Sequence, residues 1–256
     1  MFMTVSETGK RLGGGSRGAQ WTFLRQAFAD ARFYERNKSN FDNGNARETV
    51  LPRLDLEALL PVLNGKLPLV VDARSSTDIR SALGMAAEYK LKIILIGAQE
   101  GWMVATEIAK AGVAVILDPT NNLPTRFDSL NSTLDNAAKL QAAGVKVAYA
   151  VLGEQVAYNP RNLAQYAGIA VANGVARDAA LAAVTKTPAD MWGIPAGALE
   201  PGKIADVVVW DGDPLEVTSA PTKVFIAGRE QNLETRQTKL RDRYRNLSAP
   251  AELGYR

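Results

Sequence analysis

Four carboxylates, Asp72, Glu100, Asp118 and Glu154, each follow a short run of Val, Ile and Leu. That pattern places each acid near the C-terminal end of a strand, where barrel proteins build their sites. Two chemistries are open to such acids. A hard cation such as magnesium or calcium accepts carboxylate oxygens and needs no histidine. A pair such as Asp72 with Glu154 can divide acid and base roles when one carboxyl is buried and the other stays ionised, and these two are the candidate catalytic residues. The ordinary alternative carries more weight: each acid caps a helix or pairs with Arg74, Lys92 or Arg126 at the rim. No metal site is assigned, because a transition metal needs nitrogen or sulfur ligands to be held well. The loop at 121–132 (NNLPTRFDSLNS) is the longest after any of these runs, and it carries Asn121, Asn122 and Arg126. Those donors can hold an acidic or amide-bearing small molecule, and loops on a rigid scaffold often carry function. Asn-Asn-x-Pro also makes an ordinary turn.

Much chemistry is excluded outright. The 256 residues contain no histidine and no cysteine. Histidine-based zinc sites, Ser-His-Asp triads, Cys-His pairs, thiolate metal sites and disulfides are therefore absent from this chain. Lysine and arginine, 30, nearly balance 27 acids. A net charge of +3 is too even to argue for nucleic acid, despite a pI near 9.1. Hydrophobic content of 46% with 22% charged residues describes a globular chain with a full core. No run reaches the length of a membrane span, and the N-terminus lacks an apolar signal segment. The cytoplasm is the default expectation and the compartment stays open.

The elements that must position these residues lie at 67–152. The runs at 67–73 (LPLVVDA), 92–98 (KIILIGA), 113–119 (VAVILDP) and 145–152 (VKVAYAVL) have the composition of strands buried on both faces. Between them, 75–90, 101–112 and 133–144 carry apolar residues at helical spacing, and two of these helices run into Ala-Gly. Such alternation means a parallel sheet with right-handed crossovers. Before it, 1–65 is a polar and helical segment. The glycine-rich run GGGSRG at 13–18 has no strand ahead of it and no Lys-Ser/Thr in Walker order, so Ser16 is read as the cap of a helix over 19–40. A short helix follows at 54–63. After the alternating region come helices at 162–174 and 177–192, the second bent or broken at Thr187-Pro188. Antiparallel strands then follow at 204–210 and 223–227, and a charged tail from 235.

The C-terminal residues carry a resemblance. The run AVTKTPA at 183–189, then LEPGKIADVVVW at 199–210, DGDP at 211–214 and AGR at 227–229 resembles the end of the amidohydrolase superfamily, closest to its imidazolonepropionase-like branch. The resemblance covers roughly 67–230. It implies a (β/α)8 barrel flanked by a small β-sandwich, and hydrolysis of non-peptide C–N bonds with one or two divalent metals. The departures matter as much. The family's His-x-His pair on the first strand has no counterpart here. Histidines expected at the ends of the fifth and sixth strands are replaced by Asp72 and by Gly97-Ala98-Gln99. The aspartate expected after the eighth strand is answered only by Glu154. Gln99 thereby joins Asn121, Asn122 and Arg126 as a candidate ligand-binding residue.

The expected fold is α/β: four consecutive βα units forming a partial (β/α)8-type barrel over 66–195, with a partial β-sandwich at 196–234 and a tail at 235–256. The expected function is that of an amidohydrolase relative, catalytically inactive alone and without a cofactor. The alternative is a metal-free or partner-completed hydrolase of a small cyclic amide. Four strands cannot close an eight-stranded barrel, and the strand at 67–73 has no evident parallel neighbour before it. A homo-oligomer, or a partner chain completing the barrel, is therefore expected beside a small-molecule ligand. The side chains facing the missing half are expected from Val70, Ile94, Val115 and Val147.

Overall fold

The computed structural model describes residues 1–11, 13–121, 123–152 and 160–245. Its first strand, β1 (Phe2–Thr4), has three residues, too few to show a period in the sequence. It lies parallel to β2 (Leu69–Ala73), with Phe2 opposite Val70 and Thr4 opposite Asp72. Two expectations are corrected by this pairing. A strand does precede the glycine-rich loop, and β2 does have a parallel neighbour on that side.

Ser16 caps α1 (Arg17–Arg36), its hydroxyl accepting the Ala19 N–H at 3.1 Å. A single turn, α2 (Lys38–Asp42), and then α3 (Arg53–Leu63) follow. Phe28, Ala31 and Tyr34 of α1 share one buried cluster with Leu56, Leu60 and Leu63 of α3. Each such large side chain contributes about 1.5–3 kcal/mol on full burial, which ties this helix pair firmly into the core it shares with Leu69 and Val71 of β2.

The alternation then runs as the sequence predicts: α4 (Ser76–Tyr89), β3 (Ile93–Gly97), α5 (Ala105–Lys110), β4 (Ala114–Leu117), α6 (Asn136–Ala142) and β5 (Val147–Tyr149). The sheet order is β1-β2-β3-β4-β5, with every pairing parallel. Val70 stands opposite Ile94, Ile96 opposite Ile116, and Ile116 opposite Ala148. Side chains alternate along a strand, so Val70, Ile94, Ile116 and Ala148 share one face. Val71, Leu95, Val115 and Val147 share the other, where they pack with Ile79, Met85, Ile108 and Leu140 of the covering helices. Val115 and Val147 therefore do not face the missing half of the barrel. The register pairs Val115 with Leu95, not with Ile94, and one residue of offset exchanges the two faces.

Past β5 come α7 (Leu163–Ala172), α8 (Arg177–Ala183) and α9 (Lys186–Trp192). The break between the last two falls at Val184 and Thr185, ahead of the predicted Thr187-Pro188. Pro188 sits in the first turn of α9, where its missing N–H removes no helical hydrogen bond. An antiparallel sheet closes the body: β6 (Val207–Trp210), β7 (Pro221–Ile226) and β8 (Arg229–Glu230), the last not anticipated. The tail forms α10 (Arg236–Arg245). Among the described residues no helix is long and apolar enough to cross a membrane.

Candidate active site at the strand ends

Parallel strands that end together leave their following loops on one rim, and a cavity of about 760 Å3 opens there. Asp72, Arg74, Gly97, Gln99, Asn121 and Arg126 line it together with Thr4, Thr125 and the apolar Phe2, Ile96 and Leu152. The structure thus brings Asp72, Gln99, Asn121 and Arg126 to one site. Asn122 and Glu154 lie outside the described residues.

Asp72 is the best-furnished group in it. Arg74 grips both carboxylate oxygens, Nε to Oδ1 at 3.1 Å and Nη2 to Oδ2 at 3.2 Å. The Thr4 and Ser6 hydroxyls donate to Oδ2 at 3.2 and 3.3 Å. Three of these contacts fall on Oδ2 and one on Oδ1, and the two hydroxyls also lie 2.8 Å from each other, so the carboxylate is held chiefly through Oδ2. Two of those donors reach Asp72 only because β1 pairs with β2. The sequence offered no sign of Thr4 and Ser6, since recognising them required seeing that strand.

The other acids are occupied with the backbone. Glu100 Oε2 accepts the Ser76 N–H at the start of α4, 2.9 Å, while Oε1 accepts the N–H and side-chain amide of Asn131 at 3.1 and 3.0 Å. Asp118 Oδ1 accepts the N–H and hydroxyl of Thr120, and Oδ2 accepts the Leu152 N–H at 3.1 Å, tying the end of β4 to the end of β5. These are fastenings of the rim.

Gln99 is 6% exposed, and its side-chain oxygen has no hydrogen-bond partner among the described residues. Gly97 keeps the space beside it open. Its φ of +89° suits glycine, and a Cβ there would come 3.1 Å from Asp72 Oδ1 and 3.3 Å from Gln99 Oε1. Arg126 is exposed on the rim and donates to the Thr8 hydroxyl at 3.0 Å, linking the 121–132 loop to the N-terminal segment. Beside it, the Asp128 carboxylate accepts the Glu7 N–H at 2.9 Å.

A parallel sheet under helices, a cavity at its strand ends and an antiparallel appendage have the form of part of a (β/α)8 barrel with a small β-sandwich. The chain belongs to the amidohydrolase family, whose model matches residues 81–234. It is 25% identical over 257 residues to the amidohydrolase tasK of Hapsidospora irregularis, covering 90% of this chain and 25% of that protein. It is similar in structure to an amidohydrolase from Thermotoga maritima, with a TM-score of 0.78 and 25% identity, covering 90% of this chain and 62% of that one. An adenosine deaminase from Xanthomonas campestris with bound zinc shares the fold at a TM-score of 0.52 and 18% identity, over 75% of this chain and 52% of that one. The chain thus spans a quarter of the curated relative and under two thirds of the Thermotoga structure.

The family's divalent metal does not fit the residues present. The chain supplies no nitrogen or sulfur ligand from histidine or cysteine. Among the described residues no three acids converge in the manner of a metal site. Asp72, which stands where the resemblance expects a ligand, is filled by a guanidinium and two hydroxyls.

Proposed function

We propose that this chain is a member of the amidohydrolase family that binds a small polar molecule at its strand ends without the family's metal chemistry. The observation that carries the reading is the two-pronged contact of Arg74 with Asp72. A fixed organic cation occupies the acid at the position where a metal ligand is expected, and the hydroxyls of Thr4 and Ser6 add to the hold on its Oδ2. The cavity remains lined by groups suited to recognition: Thr4, Gln99, Asn121, Thr125 and Arg126 around an apolar floor that includes Ile96 and Leu152. A concave site with a few convergent polar groups is the usual form of a small-molecule pocket. In this reading Arg126 and Asn121 hold the ligand at the rim, the apolar floor excludes water, and no side chain acts as nucleophile.

The sheet supports a second reading. Among the described residues β1 and β5 each pair on one side only, so a further chain could add strands and the missing ligands, restoring a hydrolase of small amides. Hydrolysis assays with cyclic amides, with and without added zinc, run on the purified chain alone and on the chain mixed with a separately expressed first barrel half of a metal-bearing family member, separate the two. The first reading expects no metal-dependent turnover, together with ligand density beside Arg126 in crystals soaked with small carboxylates or amides. Turnover that appears on adding zinc would favour the second.

A further inference from the structure

Two features of the cavity remain unsatisfied by the protein itself. One is positive. Arg126 lines the cavity, and among the described residues its guanidinium contacts only the Thr8 hydroxyl and pairs with no carboxylate. Arg74 is different, because Asp72 already neutralises it. The strand-end cavity therefore carries one uncompensated positive charge among its described lining residues, and a guanidinium fork matches a planar carboxylate. The other feature is an acceptor. Gln99 Oε1 is buried without a donor among the described residues, and an acceptor left that way is destabilising until a donor meets it. The bare backbone of Gly97 leaves room beside it.

We infer that the strand-end cavity selects a small monocarboxylate whose far end carries an uncharged N–H donor, the carboxylate held by Arg126 and the donor by Gln99 Oε1. The inference rests on the ligand-binding reading above. The donor is uncharged because an ammonium group would find no free negative charge at the inner end: Asp72 is engaged by Arg74 and the two hydroxyls, and burying an unpaired charge is far more costly than burying an amide. Gln99 is the buried pole and Arg126 the exposed one, so the ligand enters donor first.

The probes are ω-amido acids, namely succinamate, glutaramate and adipamate, each compared with the methyl ketone of the same length, in which CH3 replaces NH2. Shape and carboxylate are kept and only the donor is lost. Isothermal titration should show at least one amido acid binding roughly tenfold more tightly than its ketone, the factor expected when a buried acceptor loses its donor. Gln99→Met should erase that difference, while Arg126→Gln should weaken amide and ketone in parallel. Should Gln99→Met fail to fold, the comparison in the unaltered chain decides alone. Equal binding of amide and ketone, still dependent on Arg126, overturns the donor assignment and leaves the ligand-binding reading standing. No binding by any probe overturns the ligand class. Zinc-dependent hydrolysis of the amido acids would instead overturn the metal-free reading while leaving the donor preference intact.

Discussion

Replacing Glu100 by alanine tests whether the strand-end acids are fastenings or chemistry. Glu100 is 5% exposed and serves the Ser76 N–H, the Asn131 N–H and the Asn131 side-chain amide. In Glu100→Ala the Asn131 amide can turn toward water, but the two backbone donors are left inside the rim. At about 1–3 kcal/mol for each stranded donor, the variant should lose about 3 kcal/mol of stability. For a chain of this size that corresponds to a fall of roughly 6–12 °C in Tm. Glu100→Gln retains one carbonyl oxygen, which can serve Ser76 or Asn131 but not both, and should lose about half as much. Glu88→Ala is the control, since Glu88 is exposed and meets only surface partners, Arg25 at 3.1 Å and the Tyr89 hydroxyl, and it should stay within about 0.5 kcal/mol of the parent. Urea unfolding followed by circular dichroism gives all three values. A Glu100→Ala variant within about 1 kcal/mol of the parent would refute the structural role and return Glu100 to the list of candidate reacting groups.

Three further outcomes are expected. Gly97→Ala forces a Cβ into a left-handed backbone at 3.1 Å from Asp72 Oδ1 and should cost about 1–3 kcal/mol, with ligand binding in the cavity weakened as well; unchanged stability and binding would count against the backbone strain at Gly97 and against the ligand's use of the space beside it. Burial opposes ionisation of Asp30, but the Val50 N–H, the Arg47 guanidinium and the Gln26 amide outweigh it and hold its carboxyl below the usual carboxylate range; its stabilisation is complete above the unfolded value of about 3.9 and is lost as pH falls through the folded value, so the stability gap between parent and Asp30→Asn should shrink in acid, and a gap independent of pH would count against it. The edges of β1 and β5, each paired on one side only among the described residues, and a 75% exposed Phe2 lead to the expectation of an oligomer; light scattering should give at least twice the chain mass of 27.5 kDa, and a mass near 27.5 kDa in an aggregate-free sample counts against it.

How much of this was legible in the sequence depended on the length of the signal. The runs that became β2 to β5 were read from composition because each is an unbroken apolar stretch. The Ser16 cap was read because its side chain acts within three residues of chain. β1 was missed for the opposite reason: Phe2-Met3-Thr4 has no period, and its identity as a strand comes from β2, more than sixty residues away. The face assignment of Val115 and Val147 failed because composition fixes that a strand is buried, while only the register fixes which face each side chain takes. At the site, the strand-end position of Asp72 was visible, and so was Arg74 as a rim partner. Capping of a helix by such an acid was expected too, and Glu100 does serve the first N–H of α4; the ties of Glu100 to Asn131 and of Asp118 to Leu152 were not visible. A carboxylate that binds an N–H thirty residues away leaves no mark on local spacing.

The central claim is that Arg74, and not a metal, occupies the acid at the end of β2. Equilibrium dialysis of the purified chain against zinc, manganese and magnesium, followed by elemental analysis, tests it most directly. The account predicts metal far below stoichiometry for all three, and no gain in thermal stability on adding any of them. About one tightly held zinc per chain, the content of a filled single-metal centre, would contradict it.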